Sequence, residues 1–423
     1  MTEQPTHSLA DAPRAGELEQ FPAFESPFLR APEAARTVFL VTLTAACGPL
    51  AAGLVLFGWR AGVVAAVSIA GCAAIERVYY YVSRTPAMLG RTHAFLTGLL
   101  LALTLPPYVP WYVPLVAAAF AIIVGKGIFG GVGHFIWQPA LVGRLAVAVL
   151  FPVVISSPLK DLPATGPVLA QNRLLIGDVT DSQYAPDFRA WGGKAAPPGV
   201  DAFLIRRPEA TMKALSDRQQ PGFAALADRS EGASAQKPLA LMHLPPLNEM
   251  ISGARPGGIG ETCAVVVIVS GLYLVYRNYV RLALPLTFVA SAGLVAAIAP
   301  IYLAGPQGTV LTTWAPILSE GLDTGLVYVS YQLLGGGLLL SAFFLATEMT
   351  SRPVTAGGQV IFAACGGALA MLMTLYVDTP IPAYMAVLAA NTMSQAIDGV
   401  WRPRVFGQKR LAFLRRRFKR PGP

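Results

Sequence analysis

Long apolar runs separated by short polar breaks organise this chain from residue 37 to residue 398. Ten runs can be marked: 37–57, 61–82, 93–106, 110–126, 139–157, 261–279, 282–303, 327–346, 358–377 and 381–398. A helix of about 18 or more apolar residues is long enough to cross roughly 30 Å of hydrocarbon. The pattern therefore predicts an all-α polytopic membrane protein of about ten transmembrane helices. The third run is too short for a straight crossing and stops at Pro106-Pro107. That combination predicts a broken or re-entrant helix, tolerated only where protein covers the backbone.

The polar breaks set orientation. With the N-terminus in the cytoplasm, the inner side receives Arg14, Arg30, Arg36, Arg77, Arg84, Arg91, Lys126, Arg144, Arg277, Arg281, Arg352 and the basic tail. Outside the long central loop, the outer side receives only Arg60. Cytoplasmic loops carry an excess of Lys and Arg, so both termini are expected inside and residues 158–256 outside. Five runs precede that loop and five follow it, which gives the halves opposite topology. "LTGLLLALTLPP" (96–107) echoes "LGGGLLLSAFFLATEMTSRP" (334–353), and Pro139-x-x-x-Gly143 echoes Pro353-x-x-x-Gly357. Two inverted five-helix repeats are expected, an arrangement that places sites at the repeat interface. The expected organisation is a cytoplasmic tail (1–36), a first repeat (37–157), an extracytoplasmic loop (158–256), a second repeat (257–400) and a basic cytoplasmic tail (401–423).

Composition sharpens this. Only 13% of residues are charged and 54% are hydrophobic, where soluble proteins carry about a quarter charged. The net charge of +9 could suggest nucleic acid, but it is concentrated in "WRPRVFGQKRLAFLRRRFKRPGP" after the last apolar run. A basic tail there faces the lipid bilayer of an inner (plasma) membrane, and no nucleic acid is expected. The first 35 residues hold no apolar signal-peptide core. Cys47, Cys72, Cys263 and Cys365 fall in four separate apolar runs without a CxxC pair. They read as small buried hydrophobes, with an iron–sulfur centre assembled from separate spans as the other option. No HExxH, P-loop or Ser-His-Asp arrangement is present.

Two polar stretches stand out. "DRSEGASAQKPLAL" (228–241) is rich in small residues, and the glycines of "RPGGIGETC" lie directly before the sixth apolar run. In the second, Gly257, Gly258 and Gly260 lead into a helix with Glu261 and Thr262 in its first turn. Unpaired N–H groups at a helix start make an anion site; a glycine-rich entry also simply turns the chain. Glu261 caps the helix or pairs with a cation. Glu76, Glu348, Asp378 and Asp398 sit near the ends of runs, where water solvates them, and Glu76 is expected to pair with Arg77. The central loop is expected to form a partly ordered cap with a short helix around 209–227.

Several segments taken together resemble the RnfD/NqrB family, membrane flavoprotein subunits of Rnf and sodium-translocating NADH:quinone oxidoreductase complexes. They are "ESPFLRAPEAARTVFLV", "LTGLLLALTLPPYVPWYVPLVAAAFAIIVGKGIFGGVG", "PALVGRLAVAVLFP", "GGIGETCAVVVIVSGLYLV", "LLGGGLLLSAFFLATEMTSRPVT" and "YMAVLAANTMSQAIDGVWRPRVFG". The resemblance implies electron relay in an ion-translocating complex, with other membrane and extracytoplasmic subunits and a flavin transferase as partners. It also implies an FMN joined through its phosphate to a hydroxyl closing an Asp-x-x-(Ser/Thr)-Gly-Ala-Thr motif. Asp228, Gly232 and Ala233 match that motif, Glu231 replaces a hydroxyl residue, and Ser234 stands where Thr is usual. Ser offers the same oxygen as Thr without the β-methyl that restricts χ1, and small neighbours let a second protein approach. Ser234 is thus an FMN anchor, or the loop is an ordinary Ser/Ala/Gly connector.

Departures cluster elsewhere. His134-Phe135-Ile136-Trp137-Gln138-Pro139-Ala140 replaces an Asn-Pro-Phe-Asn-Pro-Ala core, Arg91 and His93 replace an acidic and a small residue, and Glu348 replaces Asp. They put a second, non-covalent flavin in question. His134 and Trp137 stack on a ring or anchor the chain at the interface. The alternative function class is a flavin-free membrane scaffold or transporter with a solute or ion path through the repeats.

Overall fold

The computed structural model describes residues 35–84, 92–156, 247–253, 257–304, 311–319, 321–377 and 379–400. Asp228, Gly232, Ala233 and Ser234, the expected helix at 209–227 and both tails lie outside these residues.

The first half builds α1 (Ala35–Phe57), α2 (Trp59–Ser83), α3 (Thr92–Thr104), α4 (Tyr112–Ile122, continuing as a π turn over Ile123–Gly127), α5 (Pro139–Leu150) and α6 (Pro152–Ser156). The second builds α7 (Leu247–Ser252), α8 (Ala264–Tyr276), α9 (Ala283–Ile298), β1 (Ile301–Ala304), β2 (Leu311–Trp314), α10 (Pro316–Ser319) and α11 (Leu322–Leu334). Then follow α12 (Leu338–Leu340, passing into a π turn over Ser341–Leu345), α13 (Ala356–Tyr376) and α14 (Pro382–Val400). Each expected apolar run is helical for most of its length.

Prolines and glycines decide where helices stop. Proline lacks an N–H and disfavours helix at the residue before it. So α3 ends ahead of Pro106, and α5 breaks at Phe151 before Pro152. The seventh run, expected to be helical to 303, ends at Ile298: Ala299 is extended (φ −64°, ψ 129°) before Pro300. Residues 301–304 then pair antiparallel with 311–314, Ile301 opposite Trp314. At Gly335-Gly336-Gly337 the helix bends by 66°, and Gly337 sits against the Tyr384 phenol where a Cβ would collide.

Helix starts follow equally local rules. Pro139 occupies the first turn of α5, where its missing N–H is harmless, and the Gln138 side chain accepts the Leu141 N–H at 2.9 Å. Thr355 caps α13 by accepting from Gly358 N–H at 3.1 Å. Such side-chain caps satisfy donors that the helix itself leaves open.

In the first half α2 packs along α3 and α4, and α4 along α5; in the second α9 packs along α13, and α13 along α14. Small buried residues on these helices, Ala292, Ala296, Ala363 and Ala370, let backbones approach closely, as helix packing in lipid requires. α3 is buried on every face from Leu96 to Thr104, so it lies inside the bundle. Val78, Val149, Val269, Leu286 and Leu294 instead point outward, an apolar exterior suited to lipid.

Among the described residues, α1, α2 and α13 are each long and apolar enough to cross a membrane, and the bent pair 325–334 with 338–345 makes a fourth if read as one span. The protein is a helical membrane protein whose described residues include one short hairpin.

Candidate functional site

α3 has 13 residues and at 1.5 Å each spans about 20 Å, short of a full crossing. Its last carbonyls therefore open inside the protein, where each needs a donor. The carbonyls of Leu103, Thr104 and, just past the helix, Leu105 each receive one. Gly260 N–H donates to Leu103 O at 2.8 Å and Ile259 N–H to Leu105 O at 3.0 Å. Arg144, fully buried on α5, donates Nε–H to Thr104 O at 3.0 Å. A cation at a helix C-terminus is also favoured by the helix dipole.

The glycine-rich loop is thus fitted to the end of α3. A Cβ on Gly260 would stand 2.7 Å from the Leu103 side chain, so only glycine allows that approach. Glu261 turns back: its Oε2 accepts the Gly258 N–H at 3.0 Å, and its Oε1 accepts the Tyr384 hydroxyl from α14. Glu261 N–H itself donates to Gly258 O at 3.1 Å. The helix begins at Ala264, so Glu261 and Thr262, both buried, precede its first turn. Glu261 caps the loop. The four backbone amides from Gly258 to Glu261 all have protein acceptors.

A second polar cluster joins α2, α3, the α4 π turn and the segment after α12. Lys126, in that π turn, donates to Glu76 Oε2 at 2.7 Å, with both side chains out of solvent. Glu76 therefore pairs with Lys126 and not with Arg77, because successive helix residues do not face each other. His93, fully buried, meets Glu348 Oε1 through Nε2 at 3.1 Å. Thr97 sends its hydroxyl hydrogen to His93 O at 2.9 Å and lies 3.3 Å from His93 Nδ1. Phe39 packs edge-on against the imidazole at 4.9 Å, and Phe135 lies 5.5 Å away. Glu348 is near enough to Lys126 to act on its charge. Buried charges persist only when paired and hydrogen-bonded; Lys126–Glu76 is paired within the first half, and His93–Glu348 joins the two halves.

The 128–138 loop is held by its aromatics. Trp137 donates Nε1–H to Thr392 Oγ1 at 2.9 Å and meets Phe129 edge-on at 5.5 Å. His134 is exposed and Phe135 buried. Cys72 is buried as expected, whereas Cys47 and Cys365 are exposed.

Of the residues singled out in sequence, Gly258, Gly260, Glu261 and Thr262 are brought together. Lys126 and Arg144 stood out in sequence only as charges that set orientation, and Tyr384 carried no signal at all. Their apolar surroundings, "AAAFAIIVGKGIFGG" and "PALVGRLAVAVL", were the available cue, since a cation inside such a run must find a partner.

Residues 23–407 match the model of the NQR2, RnfD, RnfE family. The chain is 28% identical over 389 residues to the RnfD-type member of the ion-translocating oxidoreductase complex of Halorhodospira halophila, covering 91% of this chain and 95% of that protein. It is 27% identical to the corresponding member of the proton-translocating ferredoxin:NAD(+) oxidoreductase complex of Clostridium ljungdahlii, over 92% and 97% of the two chains. With the equivalent component of the ion-translocating oxidoreductase complex of Stutzerimonas stutzeri the identity is 30% over 84% and 87%. The chain belongs to the NQR2, RnfD, RnfE family.

Proposed function

We propose that this protein is a membrane subunit of an ion-translocating electron-transport complex of the Rnf/Nqr type, and that it carries FMN on Ser234. The observation carrying the reading is the family match from 23 to 407, which leaves little of the chain unmatched. FMN supplies an electron-carrying ring, and Ser234 supplies the hydroxyl oxygen of a phosphoester tether. The chain's own residues hold the frame: the 258–261 loop, Arg144 and Tyr384 fix the broken end of α3. That loop offers a phosphate no uncommitted amide, so the tether motif alone supports the cofactor.

The membrane is a bacterial inner membrane, with both termini cytoplasmic and residues 158–256 extracytoplasmic; the Lys/Arg distribution supports this. Ten crossings in two inverted five-helix repeats are supported by the matching order in which α2, α4, α5 and α9, α13, α14 pack. Other complex subunits and a flavin transferase are the partners.

Mass spectrometry of the peptide containing Ser234, from protein made together with its flavin transferase, tests the assignment. The mass of an FMN ester is expected; an unmodified peptide from an active complex rejects it. The committed amides of 258–261 favour a second reading, a flavin-free scaffold or transporter. Protein without flavin fluorescence that moves a solute into liposomes would establish that one instead.

A further inference from the structure

Hydrogen-bond geometry counts the protons at the His93–Glu348 contact. The Thr97 hydroxyl hydrogen goes to His93 O, which leaves Thr97 Oγ1 as the acceptor facing His93 Nδ1. On that assignment Nδ1 carries a hydrogen. Nε2 faces a carboxylate oxygen at 3.1 Å, and two acceptors cannot bind each other without a hydrogen between them. His93 and Glu348 therefore share one proton, resting on the imidazole or on the carboxyl.

A cavity of about 30 Å³ adjoins this contact, lined among others by Phe39, Thr42, Leu96, Phe344, Glu348 and Arg352. Two of its lining residues present buried atoms without a protein partner: Glu348 Oε2, the oxygen not used by His93, and Arg352 Nη1, whose sister Nη2 donates to Tyr279 O at 3.1 Å. A water needs roughly 10–15 Å³ by this measure and two to four polar partners. A water that accepts from Arg352 and donates to Glu348 would answer both atoms at once.

We propose that this cavity is a hydration site, and that its water completes a hydrogen-bonded chain Arg352–water–Glu348–His93–Thr97 along which a proton moves between the segment after α12 and α3. A hydronium in the cavity gives its proton to Glu348 Oε2 and becomes water. Glu348 passes the shared proton from Oε1 to His93 Nε2, leaving a carboxylic acid protonated at Oε2 and an imidazolium. No electrons move, and the net change is one displaced proton. The charged and titratable groups around the chain are Lys126 and Glu76 from the α4 π turn and α2, Cys72 from α2, and Tyr279, Arg281 and Arg352 from the connecting segments. The chain of bonds holds whether or not Ser234 bears flavin.

The protein has only four histidines, His7, His93, His134 and His243, so nitrogen-15 labelling of histidine in the full protein in lipid bilayers resolves each ring. Magnetisation transfer from water protons is the readout. His93, though fully buried, is expected to receive it about as fast as exposed His134. Filling the cavity by Thr42→Leu, or by Leu96→Phe if the first variant fails to fold, is expected to slow transfer to His93 several-fold and leave His134 unchanged. Absence of transfer to His93 in the unaltered protein, or transfer that survives the filling, overturns the proposal.

Discussion

His93 and Glu348 are 255 positions apart and meet at 3.1 Å inside the protein. Removing one member of a buried pair is expected to destabilise by about 3–5 kcal/mol. Thermal unfolding of His93→Leu, Glu348→Leu and the double variant checks this; the double is expected to lie well short of the sum, and strict additivity would dissolve the pair.

The Lys126–Glu76 bridge predicts a similar asymmetry. Lys126→Met leaves the Glu76 carboxylate buried and alone, and a loss of about 3 kcal/mol or more is expected. Adding Glu76→Leu is expected to recover much of it. Unfolding midpoints of the purified variants decide, and no recovery in the double would mean that Lys126 acts through packing.

Gly260→Ala is the most economical test of the loop against α3. The added methyl meets the Leu103 side chain, and overpacking of this kind costs about 1–3 kcal/mol. Amide exchange at Gly260 and Ile259 should quicken as their bonds to Leu103 and Leu105 loosen. Unchanged protection would show that the loop has slack.

Arg144→Met withdraws a charge-assisted bond from Thr104 O, worth about 1.5–3 kcal/mol. Arg144→Lys is expected to recover only part, because an ammonium cannot reproduce the planar guanidinium. Equal stability of the two variants would argue against the directed bond.

For the cofactor, Ser234→Thr is expected to keep a flavin ester and Ser234→Ala to lose it, read by in-gel flavin fluorescence under denaturing conditions. Fluorescence that persists in the alanine variant would move the attachment to another residue.

The helices and the stop at Pro106 were legible from local sequence, whereas the breaks before Pro152 and Pro300 and the bend at Gly335-Gly336-Gly337 fall inside apolar runs that hydropathy reads as continuous. Side-chain partnerships were not legible either. Glu76 looked as if it belonged with adjacent Arg77, yet adjacency on a helix separates side chains, and the true partner lies 50 residues on. Glu348 looked solvated at the end of a run because hydropathy cannot tell a run that ends at water from one that ends against α3. The glycines before α8 were visible as a feature, but their purpose depends on carbonyls at 103–105, which only the assembled halves bring near. Ser234 rests on motif alone.

The dependence of α3 on residues 258–260 bears on biosynthesis. A nascent chain that has released only its first half has made Leu103 and Leu105 but not the amides that cover them, so those carbonyls stay open until translation reaches the second half. Splitting the gene within 158–256 should thus yield an amino-terminal fragment prone to degradation when produced alone and rescued by co-production of the carboxy-terminal fragment.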